Sequence, residues 1–467
     1  MHAISKVGRF TLDTYIFISQ IHDGDWMIDI NLIRNTPEVI RESQKKRNLD
    51  PGIVEKVIEL DMLWRENLQV LEKLTNLKNK KIDEISKKIR EKQDVSELKI
   101  EVSKINEDIE KIEKIVEDTK FHRDILLWNV PNIIDEDVPY GKDEHDTLPI
   151  KFWGKAKVFR DDLDQFLKSS NNSMDYEIIE KRPISHTDIL EKYDLADTER
   201  AGKVAGSRFY YLKDDLVKLE LALEMFALQH LIEKGFKIME PPFMLTKRAM
   251  EGATDLASFE DTIYKIEKED LYLIATSEHA LAAYHMDEIL EESELPLKYA
   301  GISPCFRKEA GSHGKDTKGI FRVHQFNKIE QFVYCKPEDS KTFHEEILRN
   351  AEELYRKLEL PYRVINICSG DLGNVASKKY DIEVWMPAQG KFREVVSASN
   401  VKDYQARRLN IRIRGKEKNY FPHTLNSTAI ATTRTIVAII ENHQEEDGIR
   451  IPRALAKYFG SDLIEHK

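Results

Sequence analysis

FRKEAGSHGKDTKGIFRVHQF, residues 306–326, sets two arginine-bearing apolar runs on either side of a segment punctuated by Gly311, Gly314 and Gly319. That spacing predicts a β-hairpin, with Phe306 ending one strand and Ile320 and Phe321 beginning the next. A hairpin here makes the surrounding sheet antiparallel. A charged tip of this kind is most often a solvated loop. The alternative is an anion site on a rigid sheet, with Arg307 and Arg322 directed at phosphate or carboxylate oxygens.

The runs around it favour the same architecture. KDDLVKLELALEMFALQHLIEKG (213–235) is a long amphipathic helix closed by Gly235. LYLIAT (271–276), KYAGIS (298–303), QFVYC (331–335), YRVINIC (362–368) and YDIEVWMP (380–387) are β-rich runs separated mostly by turns. The body is therefore expected to be α+β, an antiparallel sheet with flanking helices. Neither a Walker loop nor GxGxxG is present, so a nucleotide would be held by other means.

Upstream, residues 53–130 contain neither glycine nor proline, as expected of long helices. Leu98, Val102, Ile105, Ile109, Ile112 and Val116 alternate steps of four and three, the spacing of a coiled-coil seam. Val57, Leu60, Trp64, Leu71, Leu74, Ile82, Ile85 and Ile89 form a less regular first half. Between them, Glu91–Glu97 is polar, with Asp94 or Ser96 placed to cap the second helix. These features predict a projecting antiparallel helical hairpin. Near its tip Lys78, Lys80, Lys81, Lys87, Lys88, Arg90 and Lys92 outnumber the acids, which suits a phosphate backbone, a solvated, charge-paired surface or a protein–protein coiled coil. Residues 131–149 have the composition of a linker.

At 467 residues, two or three domains are expected. A net charge of −11 argues against nucleic-acid binding by the whole surface but leaves room for a local basic patch. Cys305, Cys335 and Cys368 lie far apart without ligand spacing, which fits reduced thiols in a cytoplasmic protein and gives no support for zinc. No apolar run is long enough to span a bilayer. Residues 1–26 lack the features of a secretory signal and are expected to be an extension of unclear role, with Met27 a more natural start. The expected domains are 27–140, bearing the arm, and 141–467, the body.

Within the body, Glu278, Arg307, Glu330, Glu394 and Ser397 sit in apolar strand contexts, and Asn426 and Thr428 precede a helix carrying Arg434. Each alone could be a structural pair; together they could receive an amino acid and a nucleotide. GFKIMEPPFM (235–244), FRKE followed by FRVHQF, and TAIATTRTIVAIIEN (428–442) resemble the three signatures of class II aminoacyl-tRNA synthetases. Thr276 with Glu278, KIE (328–330), REVVSASN (393–400), LNST (425–428), AGKVAGSRFYYL (201–212) and DGIRIPRAL (447–455) are similar to seryl-tRNA synthetases in particular. The likeness runs from Met27 onward.

The resemblance implies that Arg307 bridges a serine carboxylate and the α-phosphate of ATP, with Lys308 beside it. Glu309 would meet the adenine amino group, Phe326 would stack on the ring and the Val323 backbone would meet its edge. Arg322 and Arg434 would hold the β- and γ-phosphates, Arg434 acting with Arg307 in catalysis. Glu394 and Ser397, flanking Val395 and Val396 in the ATP-binding run, would carry Mg²⁺. Thr276 and Glu278 would receive the serine ammonium group, and Glu330, Thr428 and Asn426 its hydroxyl. The implied reaction is formation of seryl-adenylate, then seryl transfer to tRNA(Ser) and also tRNA(Sec), by a homodimer whose basic arm contacts tRNA. The third signature offers Ala429, Ala431 and Thr433 where glycines are usual, and the absence of a Cys/His set places the chain outside the zinc-dependent branch. Other class II synthetases, a ligase loading a carrier protein and a non-catalytic scaffold are the rival readings. They fit less well, because few residues follow Arg434, the arm is long, and the site positions are filled.

Overall fold

The computed structural model describes residues 27–309, 316 and 318–465, in two compact units that meet in sequence at Ile133 and Ile134. The extension 1–26 and most of the Ala310–Ile320 loop lie outside the described residues.

The first unit is all helical. Two short helices, Ile30–Asn35 and Pro37–Lys46, precede the arm helices Gly52–Arg90 and Ser96–Trp128. At 1.5 Å per residue the arm helices are about 58 and 50 Å long. Asp94 accepts hydrogen bonds from the Ser96 amide and hydroxyl at 3.0 and 2.7 Å, tying down the turn before the second helix. At the base, Met27, Ile33, Ile40, Val54, Val57, Leu127 and Val130 form a small core. Above it Asp61, 2% exposed, receives Arg34, Arg65 and Arg123 at 2.8–3.0 Å, and Arg123 lies 4.5 Å over the Trp64 ring. The second-helix seam is as expected, from Leu98 to Val116. The first-helix seam departs from expectation at its far end, where Ile82 and Ile89 are 40% and 56% exposed. Stepping by threes and fours from Leu71 and Leu74 reaches Lys78, Lys81, Ile85 and Lys88, which are the half-buried positions. Their aliphatic stems replace a hydrocarbon seam, and Lys81 pairs across the hairpin with Glu101 at 2.8 Å.

The second unit carries an eight-stranded sheet: β1 (Leu148–Trp153), β2 (Lys237–Met239), β3 (Leu297–Phe306), β4 (Gln325–Cys335), β5 (Tyr362–Asn366), β6 (Lys378–Met386), β7 (Lys391–Lys402) and β8 (His423–Ala431). The order is β1-β5-β6-β7-β8-β4-β3-β2, antiparallel except for the β3–β2 edge pair. The class II synthetase architecture expected from the sequence is thus present. Helices Asp215–Glu233, Ser340–Lys357 and Thr432–Asn442 cover one face and enclose the main core with it. Residues 134–149 are not a free linker: Ile134 and Val138 are buried against Ile365, Ile367 and Leu372, and Leu148 begins β1.

Two bulges decide which side chains face the open side of the sheet. Ile382 pairs with Val396 and Glu383 with Glu394, leaving Val395 as the extra residue; Ile329 pairs with Ile430 and Glu330 with Thr428, leaving Ala429. Residues 394 and 397 would lie on opposite faces of a regular strand, and the bulge returns them to one.

Under the sheet, Glu220 and Glu224 lie one turn apart on the helix Asp215–Glu233. Glu220 accepts a hydrogen bond from Thr432 Oγ1 at 2.7 Å. Burial, and then the neighbouring Glu220, push the Glu224 carboxyl up to about 7. Its folded-state value lies above its unfolded one, so stability is greatest below the unfolded value and declines as pH rises through the folded value. Glu224→Gln keeps the shape and the contact with Asn327 but removes the ionisation. It is expected to stabilise the fold by on the order of 2 kcal/mol at about pH 8 and to add nothing near pH 4, read by denaturant unfolding at both.

Candidate active site

The open face of β3, β4, β7 and β8 forms the floor of a groove. Thr276 caps the helix Ser277–Ala283, its Oγ1 accepting the Glu278 amide at 3.1 Å, so the helix start aims Glu278 across the floor. Burial, and then Glu330, push the Glu278 carboxyl up to about 7, while Lys328, a hydrogen bond from Gln405 and Arg307 oppose them. Glu330, 1% exposed, pairs with Lys328 at 2.6 Å and accepts from Thr428 Oγ1 at 3.3 Å, its register partner on β8. Burial raises the Glu330 carboxyl against the pull of Lys328. A cavity of about 360 Å³ is lined by Thr276, Glu278, Arg307, Glu309 and Asn426, with residues 372–376 as its wall. Glu330 and Thr428 do not line that cavity; they lie beside it, joined to Glu278 electrostatically.

Arg307 follows the last residue of β3 and Phe326 is the second of β4, paired with Cys305, so the hairpin brings the two side chains together diagonally. The guanidinium lies 5.3 Å over the Phe326 ring, and Nε donates to the Ala275 carbonyl at 3.2 Å. The hairpin itself is longer than expected: β4 starts at Gln325, and Ile320 and Phe321 are buried in the connection. Arg322 pairs with Glu309 at 3.1 Å and approaches Asp316 at 3.7 Å. Lys308 reaches the Glu260 carbonyl at 3.4 Å, and Val323 is buried at 2% exposure.

Arg434, in the first turn of the helix Thr432–Asn442, meets Glu394 Oε1 at 3.0 Å. The surrounding protein raises Glu394, but Arg434, Lys379 and Arg307 outweigh that and hold its carboxyl below the ordinary range, although 46% of its side chain stays open to the groove. Glu394 and Ser397 share a face through the Val395 bulge. Val395 and Val396 instead point their side chains into the core, each 1% exposed, leaving only their backbones for a ligand.

The sequence reading missed several groups here. Phe321 meets two cations, with Arg393 3.9 Å and Arg434 5.4 Å from the centre of its ring. Arg393 also binds Asp316 at 2.9 Å. Lys379 lines the cavity, and Asp381, hydrogen-bonded by Ser397, is pushed up to about 7 by burial. The polar alternation of 379, 381 and 383 within the apolar strand was a signal for that face. Among the described residues, no cluster of three His, Cys, Asp or Glu side chains is placed to hold a metal. On the arm, Lys80, Lys87, Arg90 and Lys92 are exposed, whereas Lys78, Lys81 and Lys88 are half-buried.

Comparison with known proteins agrees with this geometry. Residues 262–443 match the family model described as tRNA synthetase class II core domain (G, H, P, S and T), and residues 27–134 match the seryl-tRNA synthetase N-terminal domain. A serine–tRNA ligase of Pyrococcus horikoshii is 56% identical over 439 residues, covering 93% of this chain and 96% of the relative. One from Thermoplasma acidophilum is 54% identical, covering 94% and 100%. The crystal structure of the seryl-tRNA synthetase from Pyrococcus horikoshii complexed with ATP superposes with a TM-score of 0.92 at 55% identity, covering 94% of this chain and 100% of that one. Two matched domains and near-complete coverage at this identity make the chain a member of the seryl-tRNA synthetase family, the class II serine–tRNA ligases.

Proposed function

We propose that the protein joins L-serine to ATP, giving seryl-adenylate and diphosphate, and then transfers the seryl group to tRNA(Ser) and tRNA(Sec). The observation that carries this reading is the meeting, in one groove, of a small polar pocket and a set of arginines. Glu278 with Thr276 suits an ammonium group, and Glu330 with Thr428 and Asn426 suits a small hydroxyl. Arg307 stands between that pocket and the Phe326 ring, where it can touch a carboxylate and an α-phosphate together.

In the first step a serine carboxylate oxygen attacks the α-phosphorus and the bond to the β-phosphate oxygen breaks. In the second, a terminal tRNA ribose hydroxyl attacks the seryl carbonyl, loses its proton and releases AMP. No side chain has to act as nucleophile, so positioning and charge stabilisation carry the rate. Arg322 and Arg434 would hold the outer phosphates, releasing Glu309 and Glu394 from their present pairs. Glu309 and the Val323 backbone would then meet adenine stacked on Phe326, near Lys308. Glu394 and Ser397, an acid and a hydroxyl on one face, fit Mg²⁺, which would neutralise phosphate charge there.

The exposed Lys80, Lys87, Arg90 and Lys92 are the arm cations best placed for tRNA, with Lys78, Lys81 and Lys88 contributing from the seam. A homodimer is supported by the apolar stripe Val217, Leu221, Met225 and Ile232 on the helix Asp215–Glu233, 40–55% exposed. We place the reaction in the cytoplasm; no described helix is long and apolar enough to cross a membrane.

Serine-dependent ATP–pyrophosphate exchange without tRNA tests the reading. Exchange with serine, and far less with threonine, alanine or glycine, is expected; absence of exchange with serine overturns it. Thr428→Ala removes the 3.3 Å hydrogen bond to Glu330 and should raise the serine KM by roughly five- to tenfold with little change in the ATP KM. An unaltered serine KM would move the hydroxyl contact elsewhere.

A further inference from the structure

Glu278 is held from behind by a residue 127 positions away. Its Oε1 accepts a hydrogen bond from Gln405 Nε2 at 3.0 Å. Gln405 lies in the short helix Tyr404–Arg408 and has no exposed surface. Its second N–H donates to the Ala253 carbonyl at 2.8 Å, and its Oε1 accepts the hydroxyl of Thr424, on β8, at 2.7 Å. A flipped amide would turn its oxygen toward a carboxylate and a carbonyl, two acceptors, and give up the 2.7 Å bond from Thr424. The orientation is therefore fixed by its neighbours. Among the described residues no protein donor is placed on Glu278 Oε2, and Glu278 lines the cavity.

We propose that Gln405 is a positioning residue for recognition of the substrate ammonium group, its amide clamping one oxygen of Glu278 so that the other is presented to the cavity. The inference rests on the reading above, in which Glu278 meets that ammonium group. The clamp matters because Glu278 is a reluctant anion. Burial and Glu330 on β4 favour its protonated form; Lys328 on β4, the Gln405 amide and Arg307 at the end of β3 favour the carboxylate. His279, next on the same helix, is pushed down to about 3 by burial and contributes no charge at neutral pH. Removing the Gln405 donor takes away one of the three supports for the anion. The Glu278 carboxyl then titrates at higher pH, and serine binding, which needs the carboxylate, is lost from the acid side first.

The test is pyrophosphate exchange by the full-length enzyme between about pH 6 and 9 for Gln405→Leu, Thr424→Val and Glu278→Gln. A hydrogen bond to a charged group sets the scale: Gln405→Leu should raise the serine KM roughly tenfold or more, move the acid limb of its pH profile upward, and leave the ATP KM within about twofold. Thr424→Val, which takes away the donor that anchors the Gln405 oxygen and so loosens the clamp, should do the same more weakly. It provides the readout if Gln405→Leu folds poorly. Should Glu278→Gln raise the serine KM while the folded Gln405 and Thr424 variants leave both KM and acid limb unchanged, the positioning role is overturned alone. Should Glu278→Gln leave the serine KM unchanged, the ammonium reading falls, and the proposal with it.

Discussion

Replacing Arg307 with alanine is expected to reduce serine-dependent pyrophosphate exchange by on the order of a thousandfold, while the protein remains folded. The asymmetry follows from what Arg307 does in the unliganded chain. Its structural ties are a 3.2 Å hydrogen bond to the Ala275 carbonyl and a face-on contact with Phe326. Losing them costs about 1–2 kcal/mol, within the margin of a domain this size. In the reaction the same guanidinium would neutralise charge passing from the serine carboxylate to the α-phosphate, inside a groove whose other charges are mostly paired. Arg322 and Arg434, paired with Glu309 and Glu394 in the unliganded chain, would be taken up by the outer phosphates in the reaction, so neither is placed to substitute. Arg307→Lys keeps the charge but not the fork, and should recover only part of the rate. Exchange near the wild-type rate in Arg307→Ala, with an unchanged unfolding midpoint, would remove the central assignment.

The place of Arg307 in the cavity wall was legible in the sequence because the hairpin and the class II signatures pointed to one position. The groups around it were less so, for identifiable reasons. Glu394 and Ser397 stand three apart, and strand alternation alone puts them on opposite faces; only the Val395 bulge joins them. Phe321 carries two cations, but its segment reads as strand in the sequence, and a ring against two guanidiniums has no signature in spacing. Gln405 reaches Glu278 through tertiary packing that no local pattern encodes. The arm shows the same division. The second helix could be followed residue by residue because its seam is purely aliphatic. The first diverged beyond Leu74, where lysine stems occupy the seam and Ile82 and Ile89 face water. Hydrophobicity marks a seam only while the seam is hydrophobic.

That register also defines how the arm can be tested. Excising residues 60–120 would remove Asp61, leaving Arg34 without its carboxylate and buried Arg123 with Asp124 alone, at a cost on the order of a few kcal/mol to the base. A loss of activity would then report misfolding as readily as lost tRNA contact. The antiparallel pairing, with Asp61 against Arg123 and Lys81 against Glu101, places the two helices in step. A cut across residues 75–108, closed by a short glycine-containing turn, therefore removes the distal seam and every basic residue near the tip while sparing the base. This variant should keep serine-dependent pyrophosphate exchange within about twofold of the intact enzyme, since no cavity residue lies in the first unit. Charging of tRNA(Ser) should fall by on the order of a hundredfold or more, chiefly through the tRNA KM, and the remaining activity should depend less steeply on salt because fewer phosphates are neutralised. The salt slope separates the two roles open to the arm. If the basic tip contacts the phosphate backbone, excision flattens it. If charging and its salt slope both survive, the lysines are a solvated, charge-paired surface, and tRNA must be recognised by the catalytic body.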